Sequence, residues 1–342
     1  MSDVIDFAVR PRFSDRASLT VDDGVVRIED GTYRAEFSAR TAETPDLTRL
    51  AHGVPPQQLL SEVRGWLECD EREARAAVQR LFSTGLLVDP DAAQQEHVPG
   101  AYVACRLLDV FRRRFPAAVR DAPLLRALAE GPNPGLALGF LAETYFVVRT
   151  ARWSSEPVFR HDMTGAQRAA LEDFRNSESG HGELLLSGFN AAGLDVEALR
   201  RAPEAIETMA YSHAYGAFAW QGVAQFAAAL VLPEVPAPRP GGVRTGDDVL
   251  DLLARDHGVP DHLIKVFRAH EDDDVEGDHA GLPALLLSEE RHLTPAVVEH
   301  LFVILRQMID LYRGHLDAVH RRYARWVPDA VAPRLPDNAF RV

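Results

Sequence analysis

The chain has 342 residues, enough for two domains that each bury an ordinary core. Fifty-one acidic residues against 37 basic ones give a net charge of −14, which argues against a nucleic-acid partner because phosphate binding needs a positive face. Cys69 and Cys105 are the only cysteines, too few for a disulfide framework. No basic and apolar leader follows Met1, and the apolar run from Gly135 to Val148 is interrupted by Glu143, short of the roughly 18 residues a membrane span needs. The expectation is a soluble cytoplasmic protein.

Before residue 95 short segments alternate with turns. Phe7 to Phe13, Ser18 to Val21, Val25 to Glu29 and Thr32 to Ala39 have strand-type alternation, with turn chemistry at Asp22-Asp23-Gly24 and Glu29-Asp30-Gly31. Three short helices are predicted next: Asp46 to Ala51, Pro56 to Leu67 and Glu71 to Ser83. A hairpin-rich sheet followed by three helices is a winged-helix plan, assigned to residues 1–92. The stretch "LTRLAHGVPPQQLLSEVRGWLECDEREARAAVQRLFSTGLL", Leu47 to Leu87, resembles the peptide-recognition domains of enzymes that modify ribosomally made peptides, the group that includes the small pyrroloquinoline-quinone chaperone. That resemblance implies a leader peptide added as a strand at the edge Thr32 to Ala39, beside the helix Glu71 to Phe82.

Residues 90–97 read as a polar connector, and beyond it the pattern is helical. Helices are predicted at Ala101–Arg114, Pro123–Glu130, Gly135–Arg152, Gly165–Ala192, Pro203–Leu232, Asp247–His257, Pro260–His279 and Pro295–Arg325. Residues 98–328 are therefore read as a mainly α bundle of seven or eight helices, with 329–342 as a tail.

Eleven of the thirteen histidines lie after residue 160. Spacing decides which of them carry chemistry. Glu178 and His181 are three apart on a predicted helix, so they share a face and can present an oxygen and a nitrogen to one metal. A second Glu-x-x-His, Glu276 and His279, lies in "HEDDDVEGDHA", where six carboxylates would repel one another without a cation among them. Two registers are open on that helix: His270 with Asp274, or Asp272, Glu276 and His279. Glu143, in apolar "GFLAETYFVV", is either paired, with an Arg as the natural partner, or a metal ligand. Glu234 ends an apolar helix. The chain order is thus carboxylate, Glu-x-x-His, carboxylate, Glu-x-x-His, as a two-iron site in a bundle requires.

"GFLAETYFVVRTARW…LEDFRNSESGHGELLLSGFNAAGLD", with Glu234 and the His270 helix, resembles the heme-oxygenase-like di-iron oxidases and oxygenases, relatives of the pyrroloquinoline-quinone synthase and thiaminase-like folds. The family's His-x-x-x-Asp-x-x-His helix falls on His270 and Asp274 but puts Gly277 in the third place. The resemblance implies two iron(II) ions per chain, with dioxygen as co-substrate, held by ligands from Glu143, Glu178, His181, Glu234, His270, Asp274, Glu276 and His279. A ferritin-like four-helix bundle would serve the same chemistry. Neither cysteine lies where a thiaminase-like nucleophile is needed, and His97, just before the first helix, is out of place as a heme ligand. The expected function is oxidation of a ribosomally synthesised precursor peptide whose leader the N-terminal domain holds. Two alternatives stand beside it, a metal-poor peptide-binding scaffold and an oxidase of a free metabolite, and the reading admits a homodimer.

Overall fold

The computed structural model describes residues 8, 10–13, 17–22, 25–29, 34–38, 50, 52–83, 86–89, 91, 96–235 and 249–325. Both predicted turn tips, most of the predicted helix Asp46–Ala51, most of the connector and the tail lie outside the described residues. The chain forms two compact units: residues 1–113 with 283–303, and 114–282 with 304–342.

In the first unit, β1 (Arg12–Phe13) pairs antiparallel with β5 (Leu87–Val88), while β2 (Ser18–Asp22), β3 (Val25–Glu29) and β4 (Arg34–Ser38) form an antiparallel sheet in that order. The register Val26↔Phe37 and Ile28↔Ala35 puts Val26, Ile28 and Ala35 on a buried face, the alternation visible in the sequence. Helix α1 (Pro56–Leu67) buries Leu59, Leu60, Val63 and Trp66, and α2 (Glu71–Ser83) packs against it. Trp66 stacks on Phe13, and the buried Asp89 carboxylate accepts from the Arg10 amide at 3.2 Å.

From Gly100 onward the described elements are helical: α3 (Gly100–Val119), α4 (Pro123–Glu130), α5 (Pro134–Ser155), α6 (Gly165–Ala191), α7 (Val196–Arg201), α8 (Ile206–Ala219), α9 (Val223–Glu234), α10 (Val249–His257), α11 (Asp261–Glu276), α12 (Leu282–Ser288) and α13 (Pro295–Tyr323). Eleven described α-helices stand against the seven or eight expected: α7 and α12 lie where none was predicted, Ala101–Arg114 runs on to Val119, and two longer predicted spans are interrupted. Pro203–Leu232 is two helices, because Gly222 takes φ 153°, outside the helical region and suited to glycine. Pro260–His279 stops at Glu276, with consequences for the site.

In the second unit α5 is central, packed on both α6 and α8, while α6 also packs on α11 and α8 on α9. Glu143, fully buried on α5, accepts from the Ala205 amide at 3.1 Å and from the Tyr323 hydroxyl at 3.0 Å, and lies 3.3 Å from Arg322 Nη1. Its place is therefore an ion pair joining α5, α13 and the approach to α8, the Arg-paired one of the two readings open from the sequence, and it belongs to neither trio of candidate metal ligands. Four residues earlier, a Cβ on Gly139 would come within 2.2 Å of the Tyr323 ring, so glycine is what lets that ring lie against α5 and reach Glu143. Burial alone would hold the Glu143 proton, raising its pKa, and Thr208, the Ala205 amide and Arg322 partly offset this. Removing one partner of such a pair leaves the other charge uncompensated. Glu143→Ala should cost about 3–5 kcal/mol in denaturant unfolding, with metal content per folded chain unchanged; metal loss without destabilisation would contradict the structural role.

Candidate metal centre

Helix α6 starts on a capping box, Thr164 with Gln167, and carries Glu178 and His181 on one buried face. Their spacing brings Glu178 Oε2 to 3.3 Å from His181 Nδ1. Helix α11 adds His270 and Asp274, four apart, with His270 Nδ1 at 3.1 Å from Asp274 Oδ2. Glu234, the last residue of α9, brings Oε2 to 3.5 Å from His279 Nδ1.

His279 does not continue the phase of α11. The helix ends at Glu276, Asp278 turns into the left-handed region at φ 50°, and a 3-10 turn, His279–Gly281, follows. A Cβ on Gly277 would lie 2.9 Å from the His279 ring, so the glycine at the third motif position is what lets that ring fold back over the helix end. His279 Nδ1 thereby reaches within 3.1 Å of Asp274 Oδ1 and 3.6 Å of Glu178 Oε1. Of the two predicted registers the helix presents His270 with Asp274; of the other only His279 joins the cluster, and Asp272 is exposed and in neither trio. Glu276 is exposed at the end of α11 and belongs to neither ligand trio, which corrects the expectation that it pairs with His279; a helical three-residue spacing does not survive the break after it.

Ligand atoms of His181, His270 and Asp274 lie within 4.8 Å of one another, and so do those of Glu178, Asp274 and His279, with Asp274 common to both. His181 Nδ1, His270 Nε2, Asp274 Oδ1 and His279 Nδ1 are buried with no hydrogen-bond partner of acceptable geometry. Two ligands about 2.1 Å from one ion can be no more than about 4.2 Å apart, and the Glu178–His181, His270–Asp274, Glu234–His279, Asp274–His279 and Glu178–His279 distances given above, with the 3.8 Å between His181 Nδ1 and Asp274 Oδ1, meet that limit. Buried polar atoms without partners are costly, so the donor set fits a divalent cation shared among them.

Ser177 sets the tautomer of His279. Its hydroxyl donates to the Phe174 carbonyl at 2.8 Å, leaving the oxygen to accept from His279 Nε2 at 2.9 Å. In the neutral ring the proton is then on Nε2 and the Nδ1 lone pair is turned to the carboxylates. Ser177 was not singled out from the sequence, although it lies beside Glu178 on the same helix.

A cavity of about 250 Å³ adjoins the cluster, lined partly by Glu178, Glu234, His270 and Asp274. Tyr211 and Tyr215 on α8, with Tyr312 and His315 on α13, also line it. Their i,i+4 and i,i+3 spacings are legible in "YSHAY" and "YRGH", but such patterns more often serve a core than a cavity.

No protein-family model matches the chain, and no curated protein matches it. A solved structure does: a domain of unknown function with a heme oxygenase-like fold from Shewanella denitrificans, at TM-score 0.52 and 17% identity, covering 64% of this chain and 92% of that one. The fold of the matched part of the chain is heme oxygenase-like. This agrees with the fold expected from the α5 and α6 sequences, and at that identity the likeness speaks to fold alone. No described helix is long and apolar enough to cross a membrane.

Protons stand in the cluster where a cation would. Burial alone would push His279 down, but Asp274 and Glu234 outweigh it and raise it to about 10. Burial raises Glu234 to about 7, and Asp274 is held well below the carboxylate range because its contacts with His270 and His279 outweigh burial. A folded-state pKa above the unfolded one stabilises below the unfolded value and is lost as pH rises through the folded value. The metal-free chain should therefore lose thermal stability between about pH 7 and about pH 10, where His279 gives up its proton, and added divalent metal should restore it. A Tm independent of pH in that window, or indifferent to metal, would contradict this.

Proposed function

We propose that the cluster holds iron(II) and that the chain is an oxygen-activating oxidase or oxygenase. The observation that carries this reading is the set of four buried, unpartnered ligand atoms converging on Asp274. Glu178, Glu234, Asp274 and His279 would hold one ion and His181, His270 and Asp274 a second. Carboxylate oxygens mixed with imidazoles suit iron(II) or manganese(II) better than calcium, which takes oxygen alone, or copper(I), which prefers thiolates. Iron held there supplies the electrons that reduce dioxygen to an oxidant strong enough for C–H bonds. The carboxylates balance the charge of the metal, and Ser177 keeps a lone pair available on His279 Nδ1. The cavity presents a largely apolar wall beside the reacting position.

Metal analysis after anaerobic iron(II) reconstitution tests the reading. About two irons per chain are expected, and Glu178→Ala with His181→Ala should lower that number. Fewer than about one iron per chain, or no loss in the double variant, would overturn it.

The first unit supports a peptide as substrate. Among the described residues β4 pairs with β3 alone, leaving an edge, and a groove of about 530 Å³ runs by Phe37 and Ser38 of β4 and Glu73, Ala76 and Arg80 of α2. A leader peptide adding a strand to that edge would raise the local concentration of the residue to be oxidised. Residues 96–113 and 283–303 belong to the same compact unit, so a point change tests the groove better than truncation. Ala76→Trp fills the groove from an exposed position of α2. It should weaken binding of the cognate precursor peptide, read by fluorescence polarisation, at least about tenfold with iron content unchanged. Unchanged affinity would favour a free metabolite as substrate.

A further inference from the structure

Among the described residues two hollows reach the cluster, and they share no lining residue. One is the cavity of about 250 Å³ that Glu234 and His270 line; the other is an open groove of about 420 Å³ on the seam between α6 and α11. Ser177, Gly180, His181 and Leu184 of α6 form one wall of the groove, and Asp273 and Glu276 of α11 the other. At its floor lies His181, 3% exposed with an unpartnered Nδ1, near Ser177, whose oxygen holds the His279 ring. Asp273 and Glu276 are three apart, share one face of α11 and are exposed. Among the described residues neither side chain has a charged or hydrogen-bonding partner, whereas Glu183, an exposed carboxylate of α6, pairs with Arg200 at 2.6 Å. Neither Arg nor Lys lines the groove. A Cβ on Gly180 would meet nothing within 4 Å, so packing does not demand glycine there, and its effect is to leave the groove open.

We propose that this groove is the route by which a divalent cation reaches the cluster, with Asp273 and Glu276 capturing it and His181 as the first ligand it meets. The inference rests on the proposed metal centre. A cation entering by the cavity would pass Phe140, Val147, Phe226 and Leu230, losing hydration with nothing to replace it. The groove offers carboxylate oxygens in place of water, and unpaired carboxylates at its mouth concentrate cations and speed their association. Both carboxylates lie outside the two ligand trios, so they pass the ion on rather than hold it. Glu276 thereby has a part in metal binding that ligation does not give it.

Stopped-flow uptake of cobalt(II) by the metal-free full chain, followed by the absorbance of the bound ion, tests the route. Asp273→Asn with Glu276→Gln should slow uptake at least about tenfold while the final number of ions bound and their spectrum stay as in the wild type. Added salt should slow the wild type and affect the double variant much less. Gly180→Phe, which places a ring in the groove without displacing a neighbour, should also slow uptake. Ala151→Trp, which obstructs the cavity instead, should leave the rate unchanged. Wild-type rates in the double variant and in Gly180→Phe overturn the proposal, as does slowing by Ala151→Trp alone. Slower uptake with fewer ions bound would make Asp273 and Glu276 ligands and also overturns it. Failure of the metal reading looks different, because the wild-type chain would then bind no cobalt, and the route would fall with it.

Discussion

Everything in the second unit turns on one electrostatic constraint, the crowding of three carboxylates and three imidazoles, half of them buried and the rest partly so, with lone pairs pointed at one another. Glu178, His181 and His279 are buried, and Asp274 stands between two trios of ligand atoms. Such groups are tolerable only with positive charge among them. Without metal that charge is a proton, held chiefly on His279. With metal the same lone pairs become ligands, so one arrangement accounts for both the shifted acid–base behaviour and the proposed cofactor.

The backbone is shaped to meet that constraint. Helix α6 supplies its pair by spacing alone, whereas α9 contributes Glu234 by ending beside the cluster. Helix α11 has to stop: only with Gly277 free of a side chain and Asp278 in the left-handed region does His279 return over the helix end. Elsewhere in the unit, Gly139, Tyr323, Arg322 and Glu143 form a second buried polar network whose charge is satisfied by protein groups alone. The contrast between the two is instructive. Glu143 has partners for its oxygens, while Asp274 Oδ1 does not.

Helical periodicity made most of the fold legible, as it made Glu178 with His181 and His270 with Asp274 legible as pairs. What it missed came from departures from regular geometry. Counting at three and four residues paired His279 with Glu276, because nothing in the spacing reveals that the helix ends between them. The break at Gly222 was hidden in an apolar run for the same reason. Glu143 was read from its apolar setting, which identifies a buried carboxylate but not its partner, 179 residues distant in Arg322. Ser177 and the cavity tyrosines were silent because their roles depend on neighbours contributed by other helices.

Asp274 is the hinge of the account, since both ligand trios require it. Electron paramagnetic resonance of the manganese(II)-loaded chain tests this most directly. Two ions sharing the Asp274 carboxylate should give a spin-coupled signal that collapses in Asp274→Ala. A single uncoupled manganese signal, unchanged by that substitution, would contradict a shared centre.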